Sequence, residues 1–198
     1  MALTESIGAH PDELQVWAVR SRVPFGQGPR VWAGFLFGLA IRAFTFGRYG
    51  GRYSHVLFRR HNVIWEAAAG GVRVGKATEY DKRHLLVDAY HINGHEGDAG
   101  RIIAWLCEQE GMGYDFGLLA RIALDIIGKG HWLGALLDSD ARFICSELIG
   151  LAYHQVGLNL PAICDIALWQ FTPDHMYTLH QRQPDRCELR GRVTFRTA

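Results

Sequence analysis

Cys145 has the surroundings that nucleophilic chemistry asks of a thiol. It lies in the run Arg142-Phe-Ile-Cys-Ser-Glu-Leu-Ile-Gly-Leu-Ala-Tyr-His-Gln-Val-Gly157. There Ile144, Leu148, Leu151, Ala152 and Val156 recur at helical spacing and offer one stripe for burial. Gly157 supplies a stop, and Asp138, Ser139 and Asp140 offer capping chemistry just upstream. A helix beginning near Phe143 puts Cys145 in its first turn, where unpaired backbone amides and the positive end of the helix dipole stabilise a thiolate. The commoner fate of a lone cysteine is that of a small buried apolar side chain. A nucleophile therefore needs partners.

Two further residues supply them. Arg52-Tyr-Ser-His-Val-Leu-Phe58 and Val63-Ile-Trp-Glu-Ala67 are β-rich runs separated by the polar Arg59-Arg60-His61-Asn62, the pattern of a hairpin. If Phe58 pairs with Val63, His55 stands directly opposite Glu66, with β-carbons about 5 Å apart. A carboxylate beside an imidazole fixes its tautomer and stabilises its protonated form, which is the orienting role in a nucleophile–base–orienter triad. A surface cross-strand pair is the plainer reading of His55 and Glu66 by themselves. With Cys145 the set is complete.

Together the stretches resemble the NlpC-type cysteine peptidases of the papain-like fold. More narrowly, they resemble the circularly permuted branch that includes relatives of lecithin:retinol acyltransferase, in which the histidine strand precedes the cysteine helix. The matching pieces are Tyr53-Ser-His-Val56, Glu66-Ala67 followed by Gly71-Val72, Gly113-Tyr-Asp115 before a helix, Phe143-Ile-Cys-Ser-Glu-Leu148 and Thr172-Pro-Asp174. They span roughly Val16 to Tyr177, most of the chain. One departure is that Leu14-Gln15 stand where a Gly-Asp pair usually opens the first strand. The resemblance implies Cys145 as nucleophile, His55 as base and Glu66 as orienter. It leaves the substrate open, because the branch contains peptidases, amidases and acyltransferases.

The bulk properties suit such a protein. A chain of 198 residues, 48% hydrophobic and 21% charged, fits one domain with a sizeable core. Residues 1–13 read as a loose polar leader. The four cysteines, Cys107, Cys145, Cys164 and Cys187, form no Cys-x-x-Cys pair, which argues against a zinc knuckle or a disulfide framework. Neither a metal nor a cofactor is expected. Reduced thiols in a cytoplasmic setting are the default, and no signal peptide is visible in the polar start. Action on a cell wall would require another route of delivery. The net charge of +1 hides an asymmetry: Arg20 to Arg83 carries twelve Lys/Arg against three Asp/Glu, and His84 to His180 four against twelve. Either the halves attract across a cleft or the basic half recruits an anionic substrate. No nucleic-acid motif accompanies the arginines.

The elements that must position the three residues follow in order. Val16 to Arg20 alternates as a strand, and Pro24 to Pro29 is a loop. Val31 to Phe46 is the most hydrophobic stretch, too short and too interrupted by Arg42 to span a membrane. It reads as a core helix, with membrane-surface contact as the alternative, favoured by Trp32, Phe35, Phe37 and Phe44 beside flanking arginines. Phe46 to Gly51 is a loop. Val72 to Val74 and Leu85 to Tyr90 are strands. Asp98 caps a helix running to Gln109 with Ile102, Ile103, Leu106 and Cys107 inward, and Gly111 to Asp115 is a turn. Phe116 to Ile127 repeats the helical pattern, and Gly128 to Asp140, with His131 and Trp132, is a loop. Ile166 to Gln170 is a short turn or helix. In Glu188 to Arg196, Leu189, Gly191, Val193 and Phe195 alternate with Arg190, Arg192, Thr194 and Arg196, the pattern of a half-buried edge strand. The fold class is α+β, an antiparallel sheet packed against helices, and papain-like by resemblance.

The expected function is a cysteine-dependent hydrolase, a peptidase or amidase of peptide or other acyl-bearing substrates, with cell-wall peptides among them. Tyr53, Ser54 and Ser146 are the candidates for contact with substrate, Tyr53 also for packing. A lipid acyl hydrolase or acyltransferase is the alternative within the enzyme class. A structural or binding module of a larger assembly is the alternative outside it.

Overall fold

A computed structural model describes residues 12–21, 52–68, 70–81, 85–115 and 142–194. The expectations for the leader, Val31 to Phe46, the loop Phe46 to Gly51, Phe116 to Ile127, His131, Trp132 and the capping residues Asp138, Ser139 and Asp140 lie outside them. Six strands form one sheet: β1 (Gln15–Ser21), β2 (His55–Arg60), β3 (Val63–Ala68), β4 (Gly71–Lys76), β5 (Leu85–Ile92) and β8 (Cys187–Thr194). The order is β4-β3-β2-β1-β5-β8 and every neighbour is antiparallel. The chain is thus α+β with a six-stranded antiparallel sheet. Helix α1 (Thr78–Asp81) follows β4, and α2 (Ala99–Glu108) follows β5 after a single 3-10 turn. Two short strands, β6 (Gly113–Tyr114) and β7 (Arg142–Phe143), pair in parallel. Then come α3 (Cys145–His154), α4 (Leu160–Ile163), a 3-10 turn at Leu168–Gln170 and α5 (Asp174–Arg182).

The two faces of the sheet hold separate apolar clusters. Alternation along β1, β2 and β3 sends Val16, Ala18, Val56, Phe58, Trp65 and Ala67 to one face, where Leu148, Ile149 and Ala152 of α3 cover them. Trp17, Val19, Leu57 and Ile64 point the other way, to pack with Ala77, Tyr80, Val87 and Ala89. Burying such side chains contributes roughly 1.5–3 kcal/mol each. Double coverage explains why β1 and β2 are apolar on both faces.

Local details depart from the sequence in instructive ways. The hairpin turn is two residues, His61 and Asn62, with His61 at φ 52°, so Arg60 pairs Val63 and Phe58 pairs Trp65 rather than Val63. Asp98 does stand at the N-cap of α2, but its carboxylate goes to His95 and Arg101 instead of capping. Ile102 and Leu106 face inward as the period demands, whereas Cys107 is exposed. Gly113-Tyr-Asp115 contributes strand β6 rather than a turn, because Phe143 offers it a ladder partner far along the chain. Helix α3 buries Cys145, Ser146, Ile149, Gly150 and Tyr153 as well as the expected stripe, while Leu151 and Val156 are half-buried. Strand β8 is an edge, as its arginines imply. Arg192 nevertheless folds back over the sheet to bond the buried Asp88 with two nitrogens at 2.6 Å.

Gly71 joins the large sheet to the small one. Val72 N donates to Met112 O at 2.7 Å and Gly111 N to Val72 O at 2.9 Å, which ties β4 to the segment entering β6 and, through β7, to the start of α3. At Gly71 φ is 107°, and an added β-carbon would fall 2.4 Å from the Met112 carbonyl oxygen. Gly71→Ala is expected to destabilise the protein by about 2 kcal/mol or more. The check is the urea midpoint, with Gly70→Ala, where nothing lies within 4 Å, as the tolerated control.

Candidate active site

Helix α3 starts at Cys145, with Ile144 as N-cap in extended conformation (φ −91°, ψ 160°) and no capping bond from its side chain. Cys145 is therefore the first helical residue, where backbone amides have no intrahelical acceptor and the helix dipole is positive. The thiol is 4% exposed. His55 is the first residue of β2 and its side chain is 21% exposed, so the solvent-facing member of the pair is the imidazole.

His55 Nε2 lies 2.6 Å from Glu66 Oε2. With that nitrogen engaged, Nδ1 is the one left for the thiol. Burial works to lower the His55 pKa. The negative charge of Cys145 and its hydrogen bond, reinforced by the bond and charge of Glu66, outweigh burial and push it up to about 10. Burial works to raise Glu66, which is 2% exposed. The His55 bond and charge, the Tyr80 hydroxyl and the Arg73 guanidinium overcome it and hold the carboxyl down at about 2. The site thus favours an imidazolium at His55 against an ionised Glu66.

The route to this contact differs from the one the sequence suggested. In the observed register Glu66 lies opposite Arg73 on β4 and is diagonal, not opposite, to His55 on β2. The slip is two residues, which preserves the face, and both side chains are long enough to close a diagonal gap of about 7 Å. A slip of one would have parted them.

The three residues assigned to substrate contact are spent on internal bonds. Tyr53 is fully buried, donates to Asp88 Oδ2 and shares a hydrogen bond of 2.9 Å with the Tyr90 hydroxyl. Ser54 is 5% exposed, with Oγ on the Val19 carbonyl at 3.4 Å. Ser146 is 1% exposed and donates to the Phe171 carbonyl at 2.5 Å, holding the first turn of α3 against the segment before α5. Asp174, from the Thr172-Pro-Asp174 piece, accepts from the backbone amides of Arg52 at 2.6 Å and Tyr53 at 2.9 Å, anchoring the approach to His55.

The sequence reading passed over two groups at Glu66, and it took Tyr114, which lies near Cys145, as structural. Arg73 donates to Glu66 Oε1 from Nε at 2.9 Å and from its terminal nitrogen at 2.5 Å, and Tyr80 donates to Oε2. Register places Arg73 opposite Glu66, a signal available once β3 and β4 are paired. Tyr80 comes from a four-residue helix with no periodicity to read. Tyr114, 7% exposed, stands near enough to Cys145 for the thiolate charge to add to burial in raising its pKa. It stays a neutral hydroxyl. Among the described residues of the basic first half, several arginines make internal contacts of this kind: Arg59 bonds Gln15 and the His61 carbonyl, Arg60 the Asp12 carbonyl, and Arg52 lies 3.8 Å over the Tyr177 ring. Among the described residues no group of His, Cys, Asp and Glu could hold a metal ion.

A pH dependence follows. Glu66, depressed from 4.5 to about 2, adds stability that is complete above pH 4.5 and lost as pH falls through 2. His55, raised from 6.5 to about 10, adds stability that is complete below pH 6.5 and lost as pH rises through 10. The stability difference between the protein and its Glu66→Gln variant, from urea unfolding, is expected to be greatest between pH 4.5 and 6.5 and to shrink on both sides. A difference that is flat with pH would refute the charged arrangement.

No protein-family model, no curated protein and no solved structure matches this chain.

Proposed function

We propose that the protein is a cysteine-dependent hydrolase acting on amide or ester carbonyls, a peptidase or amidase, with Cys145 as nucleophile, His55 as general base and acid, and Glu66 as orienter. One observation carries the reading: a thiol at the first position of a helix acts on an imidazole whose other nitrogen is bound to a buried carboxylate at 2.6 Å. A papain-like fold in permuted order belongs to the same proposal. Its support is the sequence of elements, with the histidine strand and then the carboxylate strand preceding the cysteine helix.

The steps use these residues alone. The thiolate of Cys145 attacks the carbonyl carbon, and the developing oxyanion is met by free amides at the start of α3. His55 gives its proton to the departing amine or alcohol, leaving a thioester on Cys145. Water then attacks the thioester as His55 takes its proton. The carbon–sulfur bond then breaks, the acid leaves, and the sulfur is released as thiolate beside the imidazolium that kept the proton of water. Glu66 stabilises the imidazolium while it exists and keeps Nδ1 toward the sulfur.

The substrate side rests on chemistry. Peptides cut from a cell wall are the proposed class, and phospholipid acyl chains are the alternative within the same mechanism. No helix among the described residues is long and apolar enough to cross a membrane. The 4% exposure of Cys145 favours a second reading, an architectural module that keeps the constellation without turnover.

Alkylation separates these readings. Burial pushes the Cys164 thiol up to about 11 and that of Cys187 up to about 12, so both are expected to react slowly. Cys145 is expected to alkylate with iodoacetamide at pH 6–7 ahead of the exposed Cys107, read by peptide mass mapping. A Cys145 slower than Cys107 would favour the architectural reading. Against peptidoglycan fragments and phospholipids assayed in parallel, Cys145→Ala is expected to lower hydrolysis by about a thousandfold or more.

A further inference from the structure

Glu66 is held more completely than an orienting carboxylate requires. Its two oxygens accept four hydrogen bonds: Oε2 from His55 and Tyr80, Oε1 twice from Arg73. The remaining terminal nitrogen of Arg73 goes to Glu79 Oε2 at 3.0 Å, and Glu79 Oε1 accepts from the Lys76 amide at 3.0 Å. Arg73 and Lys76 belong to β4, Glu79 and Tyr80 to α1. Among the described residues, one edge strand and the single helical turn after it therefore supply every hydrogen bond to the Glu66 carboxylate except that of His55.

This arrangement does more than fill space. A carboxylate at 2% exposure that lost its donors would take up a proton or swing toward water. Either change would remove the anion that stabilises a protonated His55. Arg73 is 40% exposed, and an ion pair between two solvated partners contributes little. Here one partner is buried, and both nitrogens of the guanidinium fork that face it meet a single oxygen. The signs alternate outward from His55: imidazolium, Glu66, Arg73, Glu79.

We propose that Arg73 and Tyr80 are positioning residues that act on His55 and Cys145 only through Glu66, keeping the carboxylate ionised in one orientation so that the imidazole presents Nδ1 to the thiol. This rests on the reading of Cys145, His55 and Glu66 as one catalytic group. Tyr80 fixes the oxygen that faces His55, and Arg73 fixes the opposite one and its charge.

The test titrates Glu66 directly. In the full-length protein with carbon-13 glutamate and nitrogen-15 histidine, the Glu66 carboxyl is expected to titrate near 2. It should move up by about one to three pH units in Arg73→Gln and by about one unit in Tyr80→Phe, which keeps the ring and hence the packing. Arg73→Lys should restore part of the shift. The His55 ring should titrate near 10 in the parent and at lower pH in the double variant Arg73→Gln/Tyr80→Phe. An unmoved Glu66 titration in both single variants, or an unmoved His55 titration in the double variant, would overturn the proposal and leave Arg73 and Tyr80 as packing groups. These readouts need no turnover. A protein with the shifts but without hydrolysis keeps the clamp and loses the enzyme, and one with hydrolysis but without the shifts does the reverse.

Discussion

A buried negative charge organises this protein. Glu66 sits in the middle of a sheet strand at 2% exposure, a place where an isolated carboxylate would be strongly unfavourable. The chain answers with donors from three elements: the first residue of β2, the residue opposite on β4 and the hydroxyl of α1. Each of these has its own support. β4 is tied to β6 across Gly71, α1 is set by the Ala77 amide on the Asn62 carbonyl, and β2 is fixed by β1, with Asp174 holding the residues just before it. The compensation of one charge thus draws in both edges of the hairpin and the turn beyond it.

The sheet also works as a partition. Leu57 and Ile64 lie on the face away from α3, and alternation places His55 and Glu66 with them. Cys145 belongs to the cluster on the other face. His55 can serve both because it is the first residue of its strand, where the sheet ends and a side chain can reach past it. A position two residues further along is that of Leu57, where the side chain is fully enclosed. The location of the histidine at the strand terminus is therefore as much a requirement of the site as its chemical type.

Much of this was legible from residue types and spacing, and the failures have physical causes. Cys145 at a helix start followed from apolar periodicity and the glycine stop, even though the capping residues lie outside the described part and Ile144 contributes no cap. His55 and Glu66 were placed on one face because a period of two survives a register error of two; the pairing itself was misjudged because the turn takes two residues rather than four. Tyr53 was read as sharing the strand face of His55, but β2 begins only at His55 and the Tyr53 ring joins the cluster on the other face; Ser54 and Ser146 are the sequence neighbours of His55 and Cys145. A strand sends neighbours to opposite faces and a helix turns by about 100° per residue, so nearness along the chain is a poor guide to a shared pocket. Tyr80 and the β6–β7 pair depend on contacts between distant segments, for which no local pattern exists.

The partition has a consequence for the charges. A carboxylate placed directly beside a thiolate would raise the energy of the very anion the proposed reaction needs, since like charges about 4 Å apart repel by some 4 kcal/mol at an effective dielectric of 20. A sheet between them, with the imidazole as the link, lets Glu66 stabilise the imidazolium while its own field at the sulfur is reduced by distance and by the intervening positive ring. Arg73 reduces it further by neutralising the far oxygen. The carboxylate is then strong where it touches His55 and weak where it faces Cys145, the asymmetry that the proposed nucleophile and orienter require of one largely buried site.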